Sequence, residues 1–230
     1  DGMNILELGC GWGSLTCYMA QRLPNSKIIA VSNSKDQKNY ILKRIKNQNL
    51  KNIEIVTADM NDFKIDKSFD RVVSIEMFEH MRNYGELFKR ISSCLNTNGK
   101  IFIHIFTHKE YAYPFEDNSS SDWMAREFFS GGQMPSHRLL LHFQKHVQVE
   151  KMWKLSGLHY SKTSSAWLDK MDSNKKHILE IFKKSYGKEN AGMWFQRWRI
   201  FFMACEELFG MYGGNEWLVS HYLFQKHNGK

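Results

Sequence analysis

The 230-residue sequence predicts an α/β fold, a mostly parallel twisted sheet flanked by helices. Three observations lead there. Strand-like apolar runs alternate with helix-period stretches in the first half, as βαβ units do. Three glycines spaced two apart, Gly9, Gly11 and Gly13, stand where the first run gives way to the first helix. Later runs end in polar residues, which a parallel sheet brings to one edge. The length suits one such domain with an elaboration.

The elements follow in order. "MNILELG" alternates apolar residues and stops at glycine, as a buried parallel strand does; "SLTCYMAQRL" continues with apolar residues at helical spacing from Leu15 to Leu23. The glycines mark the turn between them, where a ligand can lie against bare backbone. A tight turn without a ligand fits the same pattern. "SKIIAVSNS" reads as a second strand ending at Ser32 and Asn33, and "IEIVTADM" as a third ending at Ala58, Asp59 and Met60. "FDRVVSIEMFEH" is a fourth, with Ile75, Glu76, Glu79 and His80 at its C-terminal end, and "GKIFIHIFTH" is a fifth that carries His104. Near the C-terminus, "MWFQRWRIFFMACEELF" is a helix with Trp194, Trp198, Phe201 and Cys205 broadly on one side.

Composition narrows the class. The formal charge is +8, but the lysines are scattered along helices such as Lys38 to Lys51, a solvated face rather than a nucleic-acid groove, so no nucleic-acid partner is expected. The longest apolar stretch near the C-terminus is broken by Glu206 and Glu207, so no membrane insertion is expected. Cys10, Cys17, Cys94 and Cys205 show neither disulfide-framework nor zinc-ligand spacing, and His137, His142 and His146 lack acidic or thiolate partners; no metal site is expected. Reduced thiols and the lack of a signal peptide fit a cytoplasmic protein.

The glycine loop, the polar residue after the second strand and the Asp after the third together resemble the S-adenosylmethionine-dependent methyltransferases of the Rossmann-like class I. "GCGWG" departs from the GxGxxG of dinucleotide enzymes. "LGCGWGSL", "NSKDQ", "SIEMFEHM" and "FFSGGQMPS" resemble the cyclopropane-fatty-acid-synthase-like group. Within it, "EMFEHMRNY", "THKEYAYPFED", "AWLDKMD", "WRIFFMACEELF" and "EWLVSHYLFQK" are similar to the coclaurine N-methyltransferases and their benzylisoquinoline-alkaloid relatives. The resemblance implies S-adenosyl-L-methionine as cofactor, held by Gly9, Cys10, Gly11 and Gly13 at its amino-acid part. It implies Asn33 and Gln37 near the ribose, Asp59 and Met60 around the adenine, and Ile75 in the same site. "VSNSKDQ" lacks the acidic residue that many members place after the second strand.

The resemblance further implies that Glu79 and His80 form an acid–base pair, with Glu76 as a supporting carboxylate. Trp198 and Phe201 match alkaloid-pocket positions, and His104 is assigned to the acceptor side. In cyclopropane synthases the counterpart of His104 helps hold a bicarbonate, with residues matching Cys10 and Glu79. The tyrosine that completes that cradle falls here near Ile200 and Phe201, which leaves it incomplete. Cys205 matches a cysteine once proposed as catalytic in those enzymes; here it reads as a buried small residue. Methyl transfer from a sulfonium rests mostly on alignment, which can supply roughly 7–11 kcal/mol. A secondary amine must also shed its proton, and a base is worth about 10²- to 10⁴-fold. An aromatic face near the ammonium adds about 0.5–2 kcal/mol.

The expected organisation is one domain: a cofactor-binding core over 1–108, a helical insertion covering the acceptor site over 109–157 with Gly131 and Gly132 at its bend, and C-terminal helices and strands over 158–230. The family's N-terminal helical region has no counterpart before Asp1, so a fragment or a truncated protein is expected. The expected function is N-methylation of a small benzylisoquinoline-like amine. The alternatives are a cyclopropane-synthase-type lipid methyltransferase and a catalytically silent cofactor-binding remnant. The resemblance also suggests a homodimer.

Overall fold

A computed structural model describes residues 1–60, 63–129 and 131–227. The first units are β1 (Asn4–Leu8), α1 (Ser14–Arg22), β2 (Lys27–Ser32), α2 (Lys35–Asn47) and β3 (Ile53–Thr57), followed by β4 (Phe69–Ile75), α3 (Tyr84–Ser93) and β5 (Leu95–His108). Next come β6 (Tyr113–Pro114), α4 (Trp123–Phe128), β7 (Gln133–Met134) and β8 (Val147–Leu155). The helices α5 (Leu158–Ser173), α6 (Lys175–Tyr186) and α7 (Ala191–Gly214) lead to β9 (Trp217–Lys226). Seven strands form the main sheet in the order β3-β2-β1-β4-β5-β9-β8. β1 to β5 run parallel, and β9 is antiparallel to both of its neighbours. Strand order turns back at β1, so β2 and β4 flank it and a crevice opens beyond their carboxyl ends.

Ile5 to Leu8 are buried, as befits a central parallel strand covered on both faces. α3 turns Tyr84, Leu87, Phe88 and Ile91 onto a core that includes Leu6, Leu8, Val72, Ile101, Ile103 and Phe224. Asn83 caps this helix by accepting from the backbone N–H of Glu86 at 3.2 Å. Glu7 is the exception in β1: a carboxylate inside the sheet layer. The Thr16 hydroxyl donates to its Oε2 at 2.5 Å. Burial pushes the Glu7 carboxyl up to about 7, and the Thr16 bond pulls the other way.

Two expectations about the insertion need correction. Residues 147–155 are β8, the edge strand of the main sheet, so the excursion ends at 146 rather than 157. Its one α-helix, α4, has six residues; the rest is loop, short 3₁₀ turns and the two-residue pairing of β6 with β7. Apolar side chains there pack onto neighbouring elements rather than onto a helix of their own, as Phe115 and Phe129 do on Phe106 of β5.

The loop after β1 is tied to β2, with the N–H groups of Gly9 and Cys10 both donating to Val31 O at 3.0 and 2.9 Å. Gly9 has φ 76° and Gly11 φ 51°, values that L side chains avoid. A Cβ on Gly9 would lie 2.7 Å from Cβ and Cγ of Met77, whereas one on Gly11 would meet nothing within 4 Å. Gly11→Ala is therefore expected to lower the unfolding free energy by about 1 kcal/mol. Gly9→Ala should cost roughly 2–4 kcal/mol, because overpacking adds to the backbone term. Urea unfolding of the two variants measures the difference, and equal losses would show that Met77 yields.

Candidate active site

The crevice at the end of β1 is a cavity of about 390 Å³. Gly9 and Gly11 form its floor; Val31, Ser32, Asn33 and Gln37 come from the end of β2 and the start of α2. Ala58, Asp59 and Met60 follow β3, and Glu76, Met77, His80 and Met81 follow β4. Six of the residues implied for the cofactor, Gly9, Gly11, Asn33, Gln37, Asp59 and Met60, thus meet in one hollow. Ser34 starts α2 by accepting from the backbone N–H of Gln37, and the Ser32 hydroxyl donates to Gln37 Oε1 at 2.5 Å, which fixes the amide at the rim.

Three others do not line it. Gly13 is the N-cap of α1 and packs toward Ile41. Cys10 is turned into the cluster of Cys17, Ala30, Ile41 and Ile55 on the far side of the loop. Burial there pushes its thiol up to about 12, with the Glu7 charge adding, so it stays protonated. Ile75 closes β4 one residue before the cavity begins. Met77 and Met81 were missed by the sequence reading; their i, i+4 spacing in "EMFEHM" was the available signal.

Glu76, Glu79 and His80 do gather at the mouth of β4. Glu76 adopts φ 51°, a conformation rare outside glycine, and its N–H donates to His104 O at 3.0 Å. Such a backbone costs about 1–3 kcal/mol and persists where the surroundings hold it. A 3₁₀ turn over Phe78–His80 then brings Glu79 inward, 3 % exposed, and leaves the His80 side chain 51 % exposed. His80 Nε2 lies 3.7 Å from Glu79 Oε1. Glu79 Oε2 is buried with no hydrogen-bond partner among the described residues, and Glu76 Oε1 is buried beside the His104 ring.

Burial raises the Glu79 carboxyl well above the usual range, and the neighbouring Glu76 charge adds to it. Partial burial lowers the His80 imidazole, with Glu76 pulling the other way, so the ring is neutral near pH 7. His104 lies alongside, its Nε2 3.1 Å from Glu76 Oε1 and 3.3 Å from the Tyr160 hydroxyl, its Nδ1 2.8 Å from His221 Nε2. Tyr160 and His221 stand 56 and 117 positions from His104, and no local pattern marks them.

The insertion closes over this turn. Gln133 donates to Met81 O at 2.8 Å and to the Tyr84 hydroxyl at 2.9 Å. Gly132 sits so close that a Cβ there would be 3.4 Å from Glu79 O and 3.3 Å from the Phe115 ring. Trp198 and Phe201 do not line the cavity. Phe128 of α4 stacks on Phe201 at 4.4 Å and meets Trp198 edge-on at 4.7 Å, so both rings are engaged by the insertion. Trp198 also borders a separate apolar groove with Trp167, Phe182 and Phe202. Phe201 reaches the site only through Phe129, 5.8 Å away and beside Gly132. Cys205 packs near Phe106, Met134 and Phe209, and burial pushes its thiol up to about 11.

A carboxyl whose pKa is higher folded than unfolded costs stability as pH rises above its unfolded value, here near 4.5. Glu79→Gln is therefore expected to melt above the wild type at about pH 8, where each 1 kcal/mol is worth roughly 2–4 °C. The gap should narrow toward acid; calorimetric melting across pH measures it, and a gap independent of pH would refute the burial cost.

Residues 1–215 match the family described as mycolic acid cyclopropane synthetase. The chain is 38 % identical over 230 residues to (S)-coclaurine N-methyltransferase of Thalictrum flavum subsp. glaucum, covering 98 % of this chain and 64 % of that protein. It is 37 % identical over 229 residues to pavine N-methyltransferase of the same plant, with the same two coverages. The chain thus spans less than two thirds of the length of these relatives. A crystal structure of coclaurine N-methyltransferase bound to N-methylheliamine and SAH superposes with a TM-score of 0.92 at 38 % identity, covering 98 % of this chain and 67 % of that one. With its glycine-floored crevice and the acidic turn at the mouth of β4, this chain belongs to the mycolic acid cyclopropane synthetase family of class I methyltransferases.

Proposed function

We propose that this protein transfers a methyl group from S-adenosyl-L-methionine to the nitrogen of a small, benzylisoquinoline-like amine. The observation that carries the reading is the buried Glu79 Oε2, which has no hydrogen-bond partner among the described residues, beside Glu76 and a neutral imidazole at the edge of the cavity. A buried carboxyl oxygen without a donor calls for a cationic or N–H-bearing ligand.

The cavity residues fit the cofactor. Gly11 leaves open space where a side chain would stand, Asn33 and Gln37 offer amides at the rim, and Met60 supplies an apolar contact beside the Asp59 carboxylate. The cofactor, when bound, supplies an electrophilic methyl group on a sulfonium. Glu76 and Glu79 would hold the acceptor amine, and His80 or Glu79 would take its proton so that the nitrogen lone pair is free. Burial and the Glu76 charge raise the affinity of Glu79 for a proton, which suits it to take one. Phe115 and Phe129, which cover the turn, exclude water and offer aromatic faces to an ammonium. Similarity to the alkaloid enzymes supports a role in alkaloid formation. The buried, unpaired Cys10, Cys17 and Cys94 support a reducing, cytosolic setting.

The protein is expected to methylate secondary benzylisoquinoline-type amines, measured by SAH formation and product mass. Exchanging Glu79→Gln and His80→Ala together should cut turnover by at least about 10²-fold with cofactor binding unchanged by calorimetry. Undiminished turnover in the double variant would remove the proposed base. Bicarbonate-dependent methylation of unsaturated phospholipid vesicles without any amine product would overturn the reading in favour of lipid chemistry.

A further inference from the structure

His104 joins two strands. Register pairs it with Ile75 of β4 on one side and with His221 of β9 on the other, so the two imidazoles lie side by side on one face of the sheet, ring centroids 4.8 Å apart. Nitrogens 2.8 Å apart must share a hydrogen, so one ring donates and the other accepts. At the opposite end of the His104 ring, an ionised Glu76 Oε1 and a bare Nε2 would be two acceptors 3.1 Å apart. A proton between them relieves that conflict. The Glu76 N–H bond to His104 O holds the two residues at this separation.

We propose that His104 and His221 form a proton reservoir for the amine-binding carboxylates, His104 taking the proton and His221 acting as a positioning residue through it. The inference rests on the amine-methylating reading above. The acceptor N–H bond breaks with its electron pair left on nitrogen, the proton goes to Glu79 or His80, and from there it passes to the neighbouring Glu76, where an O–H bond forms. That bond breaks in turn as the proton moves to Nε2 of His104, whose Nδ1–H donates to Nε2 of His221. After the product leaves, the proton returns through Glu76 to water entering the cavity, and no electrons change hands. The titratable groups against the pair are Glu76 from the end of β4 and Tyr160 from α5, and Tyr160 in turn neighbours Glu79 and Cys205. Burial, and then the His104 charge, lower the His221 imidazole, so it remains a neutral acceptor.

Two measurements test the proposal. ¹⁵N NMR of the imidazoles in the ligand-free protein should show the rings coupled through one hydrogen, carried on Nδ1 of His104 and shared with Nε2 of His221. Rings with no shared hydrogen would overturn the proposal whether or not any amine is methylated. In His221→Leu, kcat should fall roughly tenfold, short of the roughly 10²- to 10⁴-fold of a direct base, with KM for the amine unchanged. The acid limb of the kcat profile should also move to lower pH, because the imidazolium has lost its acceptor. His221→Gln, whose amide oxygen can accept from Nδ1–H, should recover most of the rate. A folded His221→Leu variant with an unmoved profile would overturn the role. Coupled rings in a protein that methylates no amine would instead sink the functional reading and the reservoir with it.

Discussion

Two carboxylic acids share the mouth of β4, and Glu79 is withdrawn from water beside Glu76. Burying such a group is unfavourable unless it keeps its proton or meets a cation. The surrounding structure supplies the free energy to hold it there. Glu76 is bent into a left-handed conformation, tied by its N–H to β5, and the Phe78–His80 turn is anchored by the Tyr84 hydroxyl donating to Phe78 O at 3.0 Å. Tyr84 is itself fully buried on α3 and accepts from Gln133 of the insertion. A change in α3 or in the insertion is thus felt at Glu79.

The glycine loop and the acidic turn are not independent devices. Met77 fills the space that a side chain on Gly9 would need, so the floor of the cavity and the turn that carries Glu79 pack directly against each other. The parallel sheet makes this contact durable: β1 pairs with both β2 and β4, and their ends are held in register by main-chain hydrogen bonds. The glycine loop and the acidic turn are in this way mounted on neighbouring rigid strands, which would suit the proposed methyl transfer, a reaction governed by alignment.

On the acceptor side the rings form a connected series from Phe106 through Phe115 and Phe129 to Phe201, Phe128 and Trp198. The helix face that carries Trp198 and Phe201 is the seat of the insertion, and the insertion also touches the Phe78–His80 turn. Much of the aromatic content near the C-terminus serves to hold that cover in place.

The sequence by itself determined the five-strand parallel core, the glycine turn, and the grouping of Asn33, Asp59, Met60, Glu76, Glu79 and His80, while Gln37 came from the family resemblance. The strand-end residues follow from local alternation and from polar residues at strand ends, which a parallel sheet collects on one edge. β8 escapes such a reading because the alternation in "VQVEKMWKL" breaks after Val149, where its pairing with β9 also slips. Only the tertiary structure decided that Cys10 turns away from the cavity, that Trp198 and Phe201 meet Phe128 instead of open space, and that His104 is joined to Tyr160 and His221. Those outcomes depend on side-chain direction and on antiparallel pairing across more than a hundred residues, where no short-range periodicity reaches.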